Sequence, residues 1–398
     1  MMPLGELSII TLHSQKTQSL LRRHPWIFSG AIKHLPKEVS DGDLVYLQDE
    51  KSLRLGFGHF QAGSIAVRML SFGNAAYSPD FWQSTVRNAY NLRKMLGLID
   101  NPECTAYRLI HGEGDGLPGL IVDIYGHLAI IQCHSTGMAQ FIENIVEALQ
   151  SVLTDRVQHI YNKSNDTLPL NYTGHREGQL LGNLNSSRIT ETKIQFDINA
   201  QTGQKTGFFL DQRENRKLLL QYAAGKNILN AFCYTGGFSL YALAAGANSV
   251  TSIDSSSRAL EQFDSNLSLN HFEGSLHKSV CGDVIPYLNQ MDHGEFDMII
   301  LDPPAFAKSL NKRHNAVQAY KRINAAAIKK LNSSGLLFTF SCSQVIDDAL
   351  FYNTITAAGI ESGRKLSVIH KLSQGPDHPV NLFHPEGHYL KGLVLEVE

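Results

Sequence analysis

Apolar and polar positions along this chain follow three successive patterns. Residues 1–73 carry short apolar runs, LSIITL, DLVYLQ, RLGFGHF and SIAVRML, separated by turn clusters such as Ser40-Asp41-Gly42-Asp43. Short apolar runs bounded by turn signals predict strands. One short helix is expected over 18–23. Residues 74–190 mix periods. A helix is predicted over 79–96, strands over 106–111, 119–123 and 127–134, and a helix over 138–153. The last carries Ile142, Ile145, Val146, Leu149 and Leu153 at helical spacing. The polar stretch 162–187 predicts a hairpin or a loop.

From 191 onward, short apolar strands alternate with helices. Strands are expected over 227–232, 249–254, 277–281, 296–302, 335–341, 365–370 and 389–397. Helices are expected from 237, over 256–270, from 284, over 315–331 and over 347–358. Such alternation predicts an α/β domain with a doubly wound, largely parallel sheet, whose ligands lie beyond the carboxyl ends of its strands. The chain thus divides into a β-rich unit (1–73), a central α+β unit with a hairpin (74–190) and an α/β unit (191–398).

Composition narrows the class. The chain has 398 residues, is 43% hydrophobic and 18% charged, and carries a net charge of -2. These values exclude a disordered or fibrous protein, and global charge gives no sign of a polyanion partner. Five cysteines, none in CxxC spacing, argue against a disulfide framework or a zinc ribbon and suit a reducing compartment. No secretory leader and no long apolar span is legible, so a cytoplasmic location is expected. No metal site is expected.

The unusual residues cluster at strand ends. The first strand of the α/β unit runs into Tyr234-Thr235-Gly236-Gly237 and then a helix. Paired glycines there let the backbone approach a ligand and aim a helix N-terminus at it. The pattern is not GxGxxG, which disfavours a nicotinamide dinucleotide. Asp254 ends the next strand, 18 residues after Gly236, where an acid can accept ribose hydroxyl bonds. Asp283 ends the third strand, where a carboxylate can accept an adenine amino group. Each acid alone could equally be a helix cap.

A fully apolar strand then ends in Asp302-Pro303-Pro304-Ala305-Phe306, whose prolines fix the backbone beside an acid and an aromatic. That arrangement suits gripping a flat ring. Cys342, in FTFSCS, lies at a strand end among small polar residues, where a neighbouring charge could make its thiol a nucleophile. Cys133 and Cys281 read as core residues. Residues 305–332 hold seven Lys/Arg, among them Lys308, Lys312 and Arg313, and no acid, which favours a polyanion partner. His111-Gly112-Glu113-Gly114-Asp115-Gly116 looks like a phosphate loop by letters. It is acidic and lies between two strands, so a hairpin turn is expected.

Taken together, RRHPWIFSGAI, GDGLPGLIVDIY, KTGFFLDQRENR, NAFCYTGGFS, LDPPAFAKS, FTFSCS and DHPVNLFHPEGHYLKG are similar to the motifs of class I S-adenosylmethionine-dependent methyltransferases. More narrowly, they resemble the bacterial 23S ribosomal RNA 5-methylcytosine methyltransferases that carry an N-terminal PUA domain. The resemblance implies a small PUA-like β-barrel, a central α+β domain and a Rossmann-like methyltransferase sheet. It implies S-adenosylmethionine as cofactor and 23S ribosomal RNA as partner, leaves a homodimer open, and implies methylation of cytosine C5 through a covalent Cys–C6 adduct. By the same resemblance, Phe209, Asp211 and Gln212 close over the cofactor. Tyr234, Thr235, Gly236 and Gly237 hold its methionine part, Asp254 its ribose and Asp283 its adenine. Asp302 binds the cofactor and, at N3 or the amino group of the base, offsets charge developing on the ring; Pro303, Pro304 and Phe306 hold the base with it, Lys308, Lys312 and Arg313 meet RNA, and Cys342 is the nucleophile. Two departures matter. Asn230 stands where many class I enzymes have an acid. Ala305 and Phe306 follow the prolines, where some RNA 5-methylcytosine enzymes carry a second Cys after the Asp-Pro, so the acceptor of the C5 proton is unassigned. Two other readings of the same residues are amine N-methylation of RNA or protein, which needs no Cys, and a non-catalytic RNA-binding assembly factor.

Overall fold

The structure is a computed structural model that describes residues 7–272, 276–307 and 309–398. It divides into two compact units. The first comprises the described part of Met1–Ile189 together with Ile198–Leu210 and Pro376–Gly387. The second comprises Thr190–Asp197, Asp211–Gly375 and His388–Glu398. The expected 1–73 and 74–190 units therefore carry separate sheets inside one compact body. Two pieces of the expected 191–398 unit, 198–210 and 376–387, pack with that body as well.

The first unit begins with a six-stranded sheet built from Ile9–Leu12, Trp26–Phe28, Ile32–His34, Leu44–Gln48, Arg54–Phe60 and Ile65–Phe72. Its core joins Ile10, Leu12, Leu20, Ile27, Val45, Leu47, Phe60 and Val67, all nearly free of solvent. Four of these strands follow the apolar runs. Trp26–Phe28 and Ile32–His34 are three residues each, too short to show a period of two. A five-stranded sheet follows, in the order 177–181, 159–163, 128–133, 120–125, 106–111. Helices Phe81–Met95 and Ile142–Leu153 contribute Trp82, Val86, Ile145 and Leu149 to its core. The polar stretch after 162 forms the antiparallel partner of His159–Lys163, as a hairpin. The acidic Gly-rich motif is a tight turn, Gly112–Asp115, between two antiparallel strands.

The second unit carries the sheet that matters for chemistry. Its strands are β1 (Asn227–Ala231), β2 (Ser249–Asp254), β3 (His277–Cys281), β4 (Met298–Leu301), β5 (Gly335–Ser341), β6 (Leu366–Ser373) and β7 (Lys391–Val397). Its helices are α1 (Arg213–Leu219), α2 (Gly237–Ala244), α3 (Ser257–Leu269), α4 (Val284–Gln290), α5 (Arg313–Lys330) and α6 (Asp348–Ser362). The strand order is β3-β2-β1-β4-β5-β7-β6. The first five pair in parallel, and β7 runs antiparallel between β5 and β6. This is a Rossmann-like sheet whose order reverses beside β1, so its crevice opens beyond the carboxyl ends of β1 and β4. Strands β4 and β5 are buried along their whole length, as strands covered on both faces must be. Cys133 is a core residue, whereas Cys281 is exposed, because β3 is the sheet's edge strand. Among the described residues, no helix is long and apolar enough to cross a membrane.

Candidate active site

The turn after β1 is unusual backbone. Phe232, Tyr234 and Gly236 all have positive φ, at 62°, 50° and 79°. A left-handed conformation costs a non-glycine residue on the order of 1–3 kcal/mol and persists where the surroundings impose it, typically at ligand sites. At Gly236 no other residue fits, because an added Cβ would lie 2.0 Å from the Phe263 ring. Gly236 is also the residue before α2, whose first N–H groups point beyond the sheet. The acid Asp254 locks the turn: its Oδ2 accepts the Tyr234 N–H at 2.9 Å and its Oδ1 accepts the Ser256 N–H at 2.9 Å. Each oxygen keeps a second lone pair. At the end of β1, Asn230 Nδ2 donates to Ser239 Oγ at 2.8 Å, while its Oδ1 is buried without a partner. Asp283 caps α4, its Oδ1 accepting the Ile285 N–H at 2.9 Å. The capping role weighed for this acid is therefore present, with Oδ2 to spare.

A second group of residues lies across β4 and β5. Asp302 follows β4, and Cys342 follows the neighbouring β5. The Cys342 thiol lies 3.9 Å from the Pro303 carbonyl oxygen. The Asp302 Oδ2 accepts the Gln212 amide N–H at 3.0 Å, and Gln212 Oε1 accepts from Asn215 at 2.6 Å. Both ends of the Gln212 amide are thus engaged within the protein. Asp211 Oδ2 accepts the Tyr389 hydroxyl at 2.6 Å, and Asp211 Oδ1 is buried without a partner. Phe306 packs its ring 4.7 Å from that of Tyr320, whose hydroxyl reaches Ser343 Oγ at 3.2 Å. Pro303 is buried and Pro304 exposed, while Phe209 is half-buried and belongs to the first compact unit.

Two acids and a thiol without a matching cation set the electrostatics. Burial first, and then the Asp211 charge, pushes the Asp302 carboxyl up to about 7. Burial, followed by the charges of Asp302 and Asp211, pushes the Cys342 thiol up to about 12. A neighbouring charge was expected to favour the thiolate. The nearest cation that does so is Lys391, and its ammonium is held by the Ser343 and Tyr389 carbonyls at 2.8 and 2.7 Å. Cys342 therefore rests as a thiol, and anything that uses it must remove its proton during the reaction.

The basic stretch reads differently in three dimensions. Lys321 and Lys329 pair with Glu361 of α6, at 2.9 and 4.0 Å, and Arg313 lies 3.6 Å from Asp347. Lys330 donates to the Met291 carbonyl at 2.6 Å. Three of the seven cations are thus met by two acids from further along the chain. Exposed Lys312 and Arg322 remain at the surface. Lys308 lies outside the described residues.

Sequence reasoning missed several members of the site. Arg216 holds Glu191 through Nε and Nη2 at 2.7 and 2.9 Å, and the Tyr241 hydroxyl donates to Glu191 at 3.0 Å. Arg216 also lies against Gly237, where an added Cβ would sit 3.2 Å from its Cδ. Tyr389 and Lys391 were quoted only as part of a tail motif. The signal that could have singled out Lys391 is a lysine opening the run Gly392–Leu395 of a buried strand.

In the first unit, His24, His384 and Glu386 bring nitrogen and oxygen atoms within 4.8 Å of one another. The His24 Nδ1 accepts the Trp26 N–H at 3.1 Å, which leaves Nε2 protonated in the neutral ring. A metal would need that Nε2 bare, so this trio does not fit one.

A family profile described as S-adenosylmethionine-dependent methyltransferase matches residues 174–385, and one described as a PUA-like domain matches residues 10–72. The chain belongs to the S-adenosylmethionine-dependent methyltransferase family. Relatives of this methyltransferase include ribosomal RNA large subunit methyltransferase I of Pseudoalteromonas atlantica. That protein is 39% identical over 98% of this chain and 99% of its own length. The protein of the same name from Klebsiella pneumoniae is 37% identical, over 98% of each. Among solved structures, a Streptococcus mutans protein assigned as a methyltransferase of this kind is similar in fold. Its TM-score is 0.83 at 24% identity, over 98% of this chain and 100% of that one. The cofactor of the family is S-adenosylmethionine, and the turn after β1 fits it. The glycine cradle at Gly236 is imposed by Phe263, and the orphaned Asn230 Oδ1 can accept from an ammonium group.

Proposed function

We propose that this methyltransferase methylates C5 of a cytosine in 23S ribosomal RNA through a covalent adduct between Cys342 and C6. The observation that carries the reading is the placement of the Cys342 thiol 3.9 Å from the Pro303 carbonyl, on the strand next to the one that ends in Asp302. Relatives named ribosomal RNA large subunit methyltransferase I support RNA as the substrate.

In this reading Tyr234, Thr235, Gly236 and Gly237 hold the methionine part of the cofactor, with Asn230 Oδ1 accepting from its amine. Asp254 accepts the ribose hydroxyls, Asp283 faces the adenine, and the segment Asp211-Gln212 closes over it. When bound, S-adenosylmethionine supplies the electrophilic methyl group that C5 takes. Cytosine C5 is a poor nucleophile until the ring is made an enamine. Asp302, protonated in a large fraction of molecules near neutral pH, gives its proton to N3 and recovers one from the Cys342 thiol. The sulfur adds to C6 in the same event, so S–H adds across the ring and no free thiolate is required. Pro303, Pro304 and Phe306 hold the flipped base, which must leave its stack to enter such a pocket. Exposed Lys312, with Arg313, meets the phosphates.

A second reading, amine N-methylation, is favoured by the thiol's resting protonated state, since that chemistry needs no thiolate. Mass mapping of modified nucleosides in 23S ribosomal RNA from cells lacking this protein separates the two. Loss of one 5-methylcytosine is expected, and loss of an N-methylated nucleoside instead would overturn the C5 reading.

A further inference from the structure

Methylation at C5 leaves a proton on the same carbon, and something must take it before the ring can regain its double bond. Asp302 is occupied with N3, and the residues that follow its prolines, Ala305 and Phe306, cannot accept a proton. Asp211 can. It immediately precedes Gln212, whose amide donates to Asp302 Oδ2 at 3.0 Å, and its charge bears on both Asp302 and the Cys342 thiol. Its main chain is pinned, the carbonyl accepting the Gly375 N–H at 3.2 Å. Its Oδ2 is fixed by the Tyr389 hydroxyl at 2.6 Å, from the residue just ahead of the Lys391–Val397 strand. Its Oδ1 is buried without any hydrogen-bond partner. A buried carboxylate oxygen left unsatisfied is rare in native proteins and calls for a role.

We infer that Asp211 is the catalytic base that removes the C5 proton, with Oδ1 accepting it while Tyr389 holds Oδ2. The inference rests on the Cys342 reading above and deepens it: the segment that closes over the cofactor also completes the reaction. Once C5 carries the methyl group, the C5–H bond breaks and its proton goes to Asp211. Its electron pair becomes the C5=C6 double bond. The C6–S bond breaks, its pair returns to Cys342, and the N3 proton returns to the sulfur through Asp302. Nothing is oxidised or reduced, and one proton leaves Asp211 for water. Tyr389 is a positioning residue.

The test uses the full-length protein with RNA tritiated at cytosine C5 and a methyl-labelled cofactor. Asp211→Asn keeps the shape of the side chain and its bond to Tyr389. It is expected to transfer methyl once per enzyme, to slow tritium release by about a hundredfold or more, and to accumulate a methyl-labelled protein–RNA adduct stable to denaturant. Asp211→Glu is expected to recover part of the release. Tritium release at the normal rate in Asp211→Asn overturns the assignment. So does loss of methyl transfer in a folded variant, whether or not the cofactor still binds, which would place Asp211 earlier in the reaction. If Asp211→Asn melts early, Tyr389→Phe replaces it. Tritium release should then slow relative to methyl transfer, and an unchanged ratio overturns the inference. Failure of the underlying Cys342 reading shows separately, as absence of any adduct between the wild-type protein and RNA containing 5-fluorocytosine.

Discussion

In the first unit Arg93 has no exposed surface and grips Asp115 through both guanidinium nitrogens, while its third nitrogen donates to the Arg108 carbonyl at 2.7 Å. Arg108 in turn holds Asp123 at 2.7 and 2.8 Å, and Asp123 accepts from Thr206 at 2.6 Å. In the second unit Asp302 and Asp211 are met by an amide and a hydroxyl rather than by a cation, and a thiol lies beside them. Paired buried charge fixes geometry. Burial first, and then the Asp211 charge, raises the proton affinity of Asp302, which is what acid–base work near neutral pH requires. The contrast separates architecture from chemistry more sharply than burial alone, since both groups are buried or nearly so.

Breaking the paired side should have the largest effect. Arg93→Met strands Asp115 without its partner and is expected to cost about 3–5 kcal/mol, read as a drop in the urea midpoint. A variant as stable as the parent would mean the pair is ornamental. Next comes the unpaired side, where relief is expected instead. The folded-state proton affinity of Asp302, at about 7, lies above its ordinary 3.8. Its contribution to stability is therefore complete below 3.8 and is lost as pH rises toward 7. Asp302→Asn should stabilise the free protein by about 2–4 kcal/mol at pH 8 while turnover falls by about a hundredfold or more. Reduced stability would contradict the account.

A smaller effect comes from pH alone, and it has opposite signs in the two units. His59 is buried against Trp82 and Phe141, and burial lowers its proton affinity to about 3. Its contribution is present above pH 6.5 and is lost as pH falls toward 3. Lowering pH from 7 to 5 should cost the first unit ~2 kcal/mol from this ring, while Asp302 returns a similar amount to the second. Hydrogen exchange resolved by unit reads both, and parallel changes would remove the distinction. The smallest effect belongs to exposed charge. Charge reversal at Lys312 and Arg313 should leave stability within about 0.5 kcal/mol and flatten the salt dependence of RNA affinity by about two phosphate contacts. An unchanged slope would make these residues a solvated face.

Much of the sheet was legible from the chain. Strands 106–111, 249–254 and 335–341 lie where the apolar runs place them, because each is short and bounded by turn residues, and the more polar 277–281 lies where the alternation with helices places it. The helix expected over 138–153 is interrupted at Phe141, where Thr136–Gln140 ends and Ile142–Leu153 begins. What stayed hidden depends on folding distant segments together. The Asp211–Tyr389 bond joins residues 178 apart. The acids that pair with three of α5's cations are Asp347 and Glu361. The return of 376–387 to the first unit follows from packing, not from local pattern. The strand-end positions of Gly236-Gly237, Asp254 and Asp302-Pro303-Pro304 could be read because turn residues and acids there follow short strands at fixed offsets. The state of the Cys342 thiol could not, because burial and two acids from different segments decide it.

The central claim is that Cys342 forms a bond to the target base. Wild-type protein, S-adenosylmethionine and ribosomal RNA containing 5-fluorocytosine should give a protein–RNA adduct that survives denaturing electrophoresis, because fluorine at C5 leaves no proton to remove. The adduct should map to Cys342 by mass spectrometry and vanish in Cys342→Ala, which should still bind cofactor and RNA. No adduct in the wild type, together with methyl transfer persisting in Cys342→Ala, would contradict the account and leave the site to amine methylation.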